Sequence, residues 1–303
     1  MFGIHLTVEN ALSTFVRNDQ NPNLAMASLA ISALANIAIN YYILYVLNLG
    51  VAEVAFGTIL SAAIGVLVLA IHFFRKKNNL RLIKLRFSRL LFKRTMGIGF
   101  PSFLSELGIS IFTVAYNVTL ARLIGTAGVA AFSILNYIHS VMLMLFLGMG
   151  GAVQPLISYY FGAKSQERIQ QTMKIALMVA TIFGVIAFAI GQLTTRHLVA
   201  IFGDFPQEVI DIALPGIRLF FIAYLFMGIN FVMMSYFQSI AQIRMATWIT
   251  ASREIIFMMI FILILPLLFG VYGVWLSIPL AELVVMLTIM IYVRRKTKLF
   301  HTI

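Results

Sequence analysis

The chain alternates long apolar segments with short polar stretches over almost its whole length. A helix that crosses a bilayer needs about 20 mostly apolar residues. About eight segments meet this requirement, namely Leu24–Leu47, Val51–Phe74, Gly97–Leu123, Gly128–Tyr160, Met173–Leu193, Ile212–Phe237, Met245–Phe269 and Val271–Val293. A ninth apolar segment, Met1–Val16, is shorter and carries His5 and Glu9, so we interpret it as the last part of a helix whose beginning is absent. The pattern predicts an all-α, polytopic membrane bundle of eight full helices and one partial helix.

A basic run from Arg75 to Arg94 divides the apolar sequence into a short part and a long part. It contains nine Lys and Arg residues and no acidic residue. Cytoplasmic loops of membrane proteins carry an excess of positive charge, so we expect this run in the cytoplasm. The loops then alternate consistently: the one long outside loop, Thr194–Asp211, holds three acidic residues. The same alternation predicts a cytoplasmic C-terminus.

The composition supports a membrane protein and excludes several other classes. Hydrophobic residues make up 61% of the chain and charged residues 11%, whereas soluble domains carry roughly 25% charged residues. The net charge of +12 comes from cations at the ends of apolar segments, so we predict the lipid bilayer and no nucleic acid as a partner. The chain has no Cys, its five His are scattered, and no His or Asp cluster indicates a metal site or an enzyme.

Four stretches of the sequence, in chain order, resemble segments of one transporter family. They are FVRNDQNPNLAM (15–26), GIGFPSFLSELGISIF (97–112), VQPLISYYFGAKSQERIQ (153–170) and LPLLFGVYGVWLSIP (265–279). They resemble the link between helices four and five, helix seven, the end of helix eight, and the last hairpin of the multidrug and toxic compound extrusion (MATE) family, especially its MepA-like subgroup. A complete member has twelve helices in two six-helix lobes. The resemblance therefore implies a MATE-type two-lobe fold that is truncated at its N-terminus.

The resemblance also implies a domain organisation. Residues 1–74 would be the remnant of the N-terminal lobe, with the end of helix four and helices five and six. Residues 75–96 would form the basic cytoplasmic linker between the lobes, and residues 97–303 would form the C-terminal six-helix lobe.

The function implied by the resemblance is multidrug efflux across the plasma membrane. Amphipathic or cationic drugs would leave by alternating access between two lobes, driven by H⁺ or Na⁺ and without another cofactor. Two alternatives remain open. The chain could be a flippase for lipid-linked sugars from the same superfamily, or a truncated fragment that is inactive unless it associates with the missing N-terminal helices.

One polar stripe on an apolar helix suggests a coupling residue. Its members recur at helical spacing: Ser102, Glu106, Ser110, Thr113 and Asn117. An ionisable residue inside a bilayer is costly and is a functional hypothesis by default. We expect the stripe to face the bundle interior or a wet cavity, with Glu106 as the proton carrier and Ser110, Thr113 and Asn117 in the substrate cavity. A purely structural Glu106, bonded to a neighbouring helix, is the alternative.

The short N-terminal part offers a second group of candidate coupling residues. MATE relatives have a cation site to which this helix contributes an Asn and, four residues later, an Asp, together with a Thr on the next helix. Asn36 matches that Asn and Thr58 that Thr, but Asn40 replaces the Asp. A neutral amide is a weaker ligand for Na⁺, so interhelical hydrogen bonding remains the alternative.

The remaining candidates lie on later helices. Glu282 lies deep in the last apolar segment and is a candidate for cation coupling, whereas Glu254 follows Arg253 directly and is expected to be paired or interfacial. Three further residues are candidates for the substrate cavity: Asn136, Tyr137 and Gln154, which precedes Pro155.

Overall fold

The computed structural model describes residues 2–75, 80 and 88–300, and this described part contains helices and no strand. The predicted all-α fold is confirmed. The chain divides into two compact units, Met1–Phe87 and Ser88–Ile303.

The first unit consists of three helices that pack against one another. They are α1 (Phe2–Asn18), α2 (Pro22–Tyr41), which continues into a π-helical turn (Tyr42–Val46), and α3 (Val51–Ala70), which continues into a 3-10 turn (Ile71–Phe74). A small apolar core joins one residue from each helix, Val16, Ala25 and Leu69. Each of these side chains is removed from solvent, so the contact holds the three helices together at this level.

The second unit is a larger bundle around one apolar core. Its helices are α4 (Arg89–Gly162), α5 (Gln166–Leu193), α6 (Thr195–Ala200), α7 (Gln207–Phe220), α8 (Tyr224–Ser239), α9 (Ile243–Ala251), α10 (Phe257–Phe269) and α11 (Val271–Phe300). Aromatic side chains dominate the centre of this core. The Tyr116 ring stacks on Phe132 with centroids 5.1 Å apart, and its hydroxyl donates a 2.9 Å hydrogen bond to the Val274 carbonyl. This bond satisfies a polar group that would otherwise be costly to bury.

Helix α4 is broken in the middle and therefore contains two spans. It has 74 residues, and a straight helix of that length would extend about 110 Å, far beyond the roughly 30 Å of a bilayer core. Ile124 and Gly125 leave the helical region, and Gly125 has φ 66° and ψ −150°. Seven segments of the described chain are long and apolar enough to cross a membrane, with α4 counted once. Dividing α4 at Gly125 gives the eight spans that the sequence predicts.

Left-handed backbone conformations mark most of the turns between helices. Residues with positive φ are Gln20, Asn48, Gly125, Lys164, Gly203, Ala241 and Gly270. A residue of this kind commonly ends a helix, because it lets the chain turn while satisfying the last carbonyls. They lie in the short connections between spans, and none of those described lies in the basic run 75–94, most of which is outside the described residues.

The structure differs from the expected boundaries at two places. Ser88 caps α4 by accepting a hydrogen bond from the Leu91 amide, so the end of the predicted 75–96 linker forms the first turns of α4. Most of the basic run, at residues 76–79 and 81–87, lies outside the described residues. The predicted outside loop Thr194–Asp211 contains the short helix α6, whose Thr195 and Val199 side chains are buried and thus hold it against the bundle.

Candidate functional site

Four polar residues meet inside the second unit and form what we name the Arg253 cluster: Asn230, Arg253, Glu254 and Glu282. The guanidinium of Arg253 contacts the Glu254 carboxylate, and its Nε lies 3.5 Å from Glu282 Oε1. Asn230 Nδ2 donates to Glu282 Oε2 at 2.7 Å and to the Glu282 carbonyl at 2.9 Å. The guanidinium also lies 3.8 Å from the ring centroid of Phe231, at a distance where cation–π attraction contributes.

Several helices converge to build the cluster. Asn230 comes from α8 and Glu282 from α11, whereas Arg253 and Glu254 occupy a π-helical turn, Ser252–Ile256, between α9 and α10. Isolated π turns are frequent at functional sites. The Glu254 side chain packs so close to Gly108 of α4 that any side chain at position 108 would collide with it. The backbone of α4 therefore closes one side of the cluster.

The cluster is buried, charged and incompletely satisfied. Arg253 and Glu282 are each only 2% exposed. Within the described chain, Asn230 Oδ1 and the Nε and Nη1 atoms of Arg253 lack a hydrogen-bond partner. If both carboxyl groups are ionised, one guanidinium faces two carboxylates and a net charge of −1 remains in an apolar interior. A proton or a small cation would neutralise this excess charge, since uncompensated buried charge is strongly unfavourable.

The sequence indicated only part of this cluster. The depth of Glu282 in the last span points to this residue, and Glu254 is expected to be paired or interfacial, whereas no role is predicted for Asn230 or for Arg253 itself. A sequence signal for Arg253 does exist. It lies ten residues after Ile243, where α9 begins, or about 15 Å along the span, which is too deep for an interfacial residue.

Glu106 occupies a different environment. Its side chain is exposed on the surface of the second unit, as are those of Ser102 and Ser110. The buried face of this part of α4 is formed by other positions, such as Ser105 and Gly108. Glu106 and Ser110 therefore do not face the interior of this unit, although Ser102 accepts a hydrogen bond from Gln238 of α8. Within the described residues the Glu106 carboxylate makes no hydrogen bond or ion pair. No contact therefore supports a structural role for it, and its role in proton coupling remains a prediction.

The predicted cavity residues are distributed over both halves of α4. Thr113 and Asn117 are half-buried, and their side chains donate to carbonyls one turn earlier, at Ile109 and Thr113. Ser110 does the same at Glu106 with a longer bond of 3.4 Å.

The three cavity candidates after the break in α4 lie apart from that group in sequence. Tyr137 is exposed and stacks on Phe202 with centroids 6.0 Å apart. Asn136 is half-buried and Gln154 is exposed. Their assignment to a substrate cavity remains a prediction.

The candidates of the first unit form one hydrogen-bonded group. Asn36 Nδ2 lies 3.4 Å from Thr58 Oγ1 and 3.2 Å from Ser61 Oγ. Asn40 donates to Asn36 Oδ1 at 3.1 Å, while its own Oδ1 is buried without a hydrogen-bond partner in the described chain. These amides do link α2 to α3, and a cation role for them remains a prediction.

Comparison with known proteins then identifies the family. The family model described as MatE matches residues 101–264, more than half of the chain. The chain belongs to the MATE family. Curated relatives include the multidrug export protein MepA of Staphylococcus saprophyticus, 24% identical over 93% of this chain and 62% of the relative. MepA of Staphylococcus haemolyticus is 25% identical over 90% of this chain and 60% of the relative.

Solved structures of MATE transporters have the same fold. An outward-facing multidrug resistance MATE family transporter of the MOP superfamily matches 97% of this chain and 67% of its own, with a TM-score of 0.89 and 21% identity. A MOP superfamily transporter from Pyrococcus furiosus matches equally well, with a TM-score of 0.89. The chain is therefore a multi-pass membrane protein of this family. It spans about six-tenths of the length of the curated relatives it matches.

Proposed function

We propose that this chain takes part in multidrug efflux by cation-coupled antiport across the plasma membrane. The observation that carries the proposal is the Arg253 cluster, a buried group with one more carboxylate than cation inside a MATE-type bundle. Binding of H⁺ or Na⁺ would neutralise the cluster, and release on the other side of the membrane would restore its charge. An ion-dependent change of this kind can bias the bundle between two conformations.

The substrate class follows from the relatives and from the composition. The relatives are described as multidrug export proteins, and this chain contains 26 Phe and 16 Met residues. Flexible and polarizable side chains can adapt to ligands of varied shape. We therefore propose amphipathic, often cationic compounds as substrates, moved by alternating access of two helical lobes.

A transport assay tests this function. The chain is reconstituted in proteoliposomes, an inward or outward gradient of H⁺ or Na⁺ is imposed, and movement of tetraphenylphosphonium is followed. Movement against its own gradient that stops when the ion gradient is collapsed supports the proposal. Absence of gradient-dependent movement of this cation would contradict it, and translocation of a lipid-linked sugar instead would support the flippase alternative.

Glu106 is a second candidate for carrying the proton. Its support is its position in the polar stripe of α4, where an acidic side chain would be costly against lipid. The Glu106→Gln variant should lose proton exchange that depends on added drug, because an amide cannot release a proton. Unchanged exchange in this variant would exclude that role, while leaving the Arg253 cluster as the coupling site.

A further inference from the structure

A polar seam runs between the helices of the first unit and ends at a buried acid. On α3, Thr58, Ser61 and Gly65 lie on one face, and on α2, Ser28, Ser32 and Asn36 lie on the face that meets it. Ser32 Oγ donates to the Ser61 carbonyl at 3.0 Å, and Ser28 Oγ donates to the Gly65 carbonyl at 2.8 Å. On the side of Gly65 that leads to the end of α3, the polar contacts give way to the apolar contact of Val16, Ala25 and Leu69.

Glu9 of α1 fills the space that Gly65 leaves open. Glu9 is 3% exposed, and a Cβ atom on Gly65 would collide with its carboxyl group. The same Cβ atom would lie 3.1 Å from the Ser32 Cβ. The carboxyl group of Glu9 is therefore adjacent to Gly65 and to the two serines whose hydroxyls bond α3.

The polar atoms around Glu9 lack the partners that a carboxylate needs. Glu9 Oε1 and Ser13 Oγ are buried without a hydrogen-bond partner in the described part of the chain. Ser13 is 1% exposed and lies one helical turn after Glu9, on the same face of α1. Ser28 and Ser32 already donate their protons to carbonyl groups, so toward Glu9 they offer oxygen lone pairs and not donors.

No basic residue of α2 or α3 offers a counter-charge to Glu9. Helix α2 carries no Lys, Arg or His, and the charged residue of α3 is the acidic Glu53 in its first turn. On α1 itself, His5 stands one turn before Glu9 and Arg17 two turns after it, and Glu9 forms no ion pair within the described residues. A single buried carboxylate beside hydroxyl oxygens attracts one positive charge. Oxygen ligands of this kind suit small hard cations.

We propose that Glu9 and Ser13, together with Ser28 and Ser32 beside Gly65, bind one small monovalent cation. The single carboxylate supplies one negative charge, so a monovalent ion neutralises the site. The hydroxyl oxygens replace water in the ion's coordination shell. The site is separate from the Asn36 and Thr58 group and is joined to it through the Ser32–Ser61 bond.

Equilibrium binding of Na⁺ tests the site without requiring transport. The purified chain is titrated with radioactive Na⁺ at neutral pH and constant ionic strength, with choline as the replacement cation. The wild-type chain should bind Na⁺ saturably, and the Glu9→Gln variant should lose one bound ion per chain. The Ser13→Ala variant should bind about tenfold more weakly, because it lacks one ligand.

Two further variants separate binding from folding. Gly65→Ala keeps Glu9 but displaces its carboxyl group, and it should also weaken Na⁺ binding by about tenfold or more. Glu208→Gln makes the same chemical change at an exposed residue and should bind Na⁺ as the wild type does. Circular dichroism and size-exclusion profiles check that each variant is folded.

The proposal is overturned if the wild-type chain shows no saturable Na⁺ binding, as expected for a Glu9 carboxyl that stays protonated or binds only water. It is also overturned if Glu9→Gln binds Na⁺ as the wild type does. Glu9-dependent Na⁺ binding by a chain that exports no drug would contradict the proposed function and leave this site standing. Ion-coupled drug export by a chain whose Na⁺ binding does not depend on Glu9 would support the proposed function and overturn this site.

Discussion

At the scale of single residues, depth in an apolar segment is the signal that the sequence provides. It selects Glu282, because an acidic residue far from either end of a span needs a reason to be there. The sequence cannot show that the partners of Glu282 are Asn230 and Arg253, since these residues come from other helices and meet it only by tertiary packing. Glu106, in contrast to the buried Glu282, is exposed on its unit. The sequence cannot predict this difference, because helical periodicity shows which residues share a face but not what that face contacts.

Removing the charge of Arg253 should destabilise the folded chain. Arg253→Met keeps much of the side-chain length but leaves two carboxyl groups in the interior without their cation. Loss of one partner of a buried ion pair lowers the free energy of unfolding by about 3–5 kcal/mol. Unfolding of the purified protein in detergent measures the effect. The Arg253→Lys variant is the control and should lose less stability because it keeps the charge.

The double variant Arg253→Met with Glu282→Gln tests whether the two residues interact. It should be more stable than the sum of the single changes predicts, because the second change removes one of the unpaired charges. Additive effects, or an Arg253→Met variant as stable as the wild type, would contradict the electrostatic account of the cluster.

At the scale of helices, most boundaries follow from short polar interruptions of the apolar pattern. The short connections contain residues with positive φ, such as Asn48 and Gly270, because a helix that ends against the next one must turn within a few residues. Two features were not predicted. The π turns of α2 and of Ser252–Ile256 have no sequence signature, and α6 forms because its buried face packs on the bundle.

Gly125 should be intolerant of a side chain. Its φ of 66° and ψ of −150° lie in a region that is essentially restricted to glycine, so Gly125→Ala should lower the stability by about 1–3 kcal/mol. Thermal unfolding in detergent measures this. Gly148→Ala is the matched control, because Gly148 is helical and has open space around its Cα, so this variant should be at least as stable as the wild type. Equal stability of the two variants would argue against a strained break in α4.

At the scale of the whole molecule, the charge of the loops predicts the orientation in the membrane. The chain contains no Cys, so single cysteines can be introduced without background labelling. Asp204→Cys, in the predicted outside loop, should react with a membrane-impermeant maleimide on intact cells. Gln166→Cys, in the connection Gly162–Gln171 that the same alternation places inside, should react only after the cells are permeabilised. The opposite labelling pattern would reverse the proposed topology and with it the cytoplasmic C-terminus.

The central claim is that a buried acidic residue couples ion movement to drug export. The Glu282→Gln variant tests it directly in proteoliposomes, because Gln has the same shape and can keep a bond to Asn230 but cannot ionise. Drug-dependent movement of H⁺ or Na⁺ is measured for the wild type, for Glu282→Gln and for the surface control Glu208→Gln. The account predicts drug-dependent ion movement in the wild type and the control and its loss in Glu282→Gln. Ion movement at the wild-type rate in Glu282→Gln would contradict it.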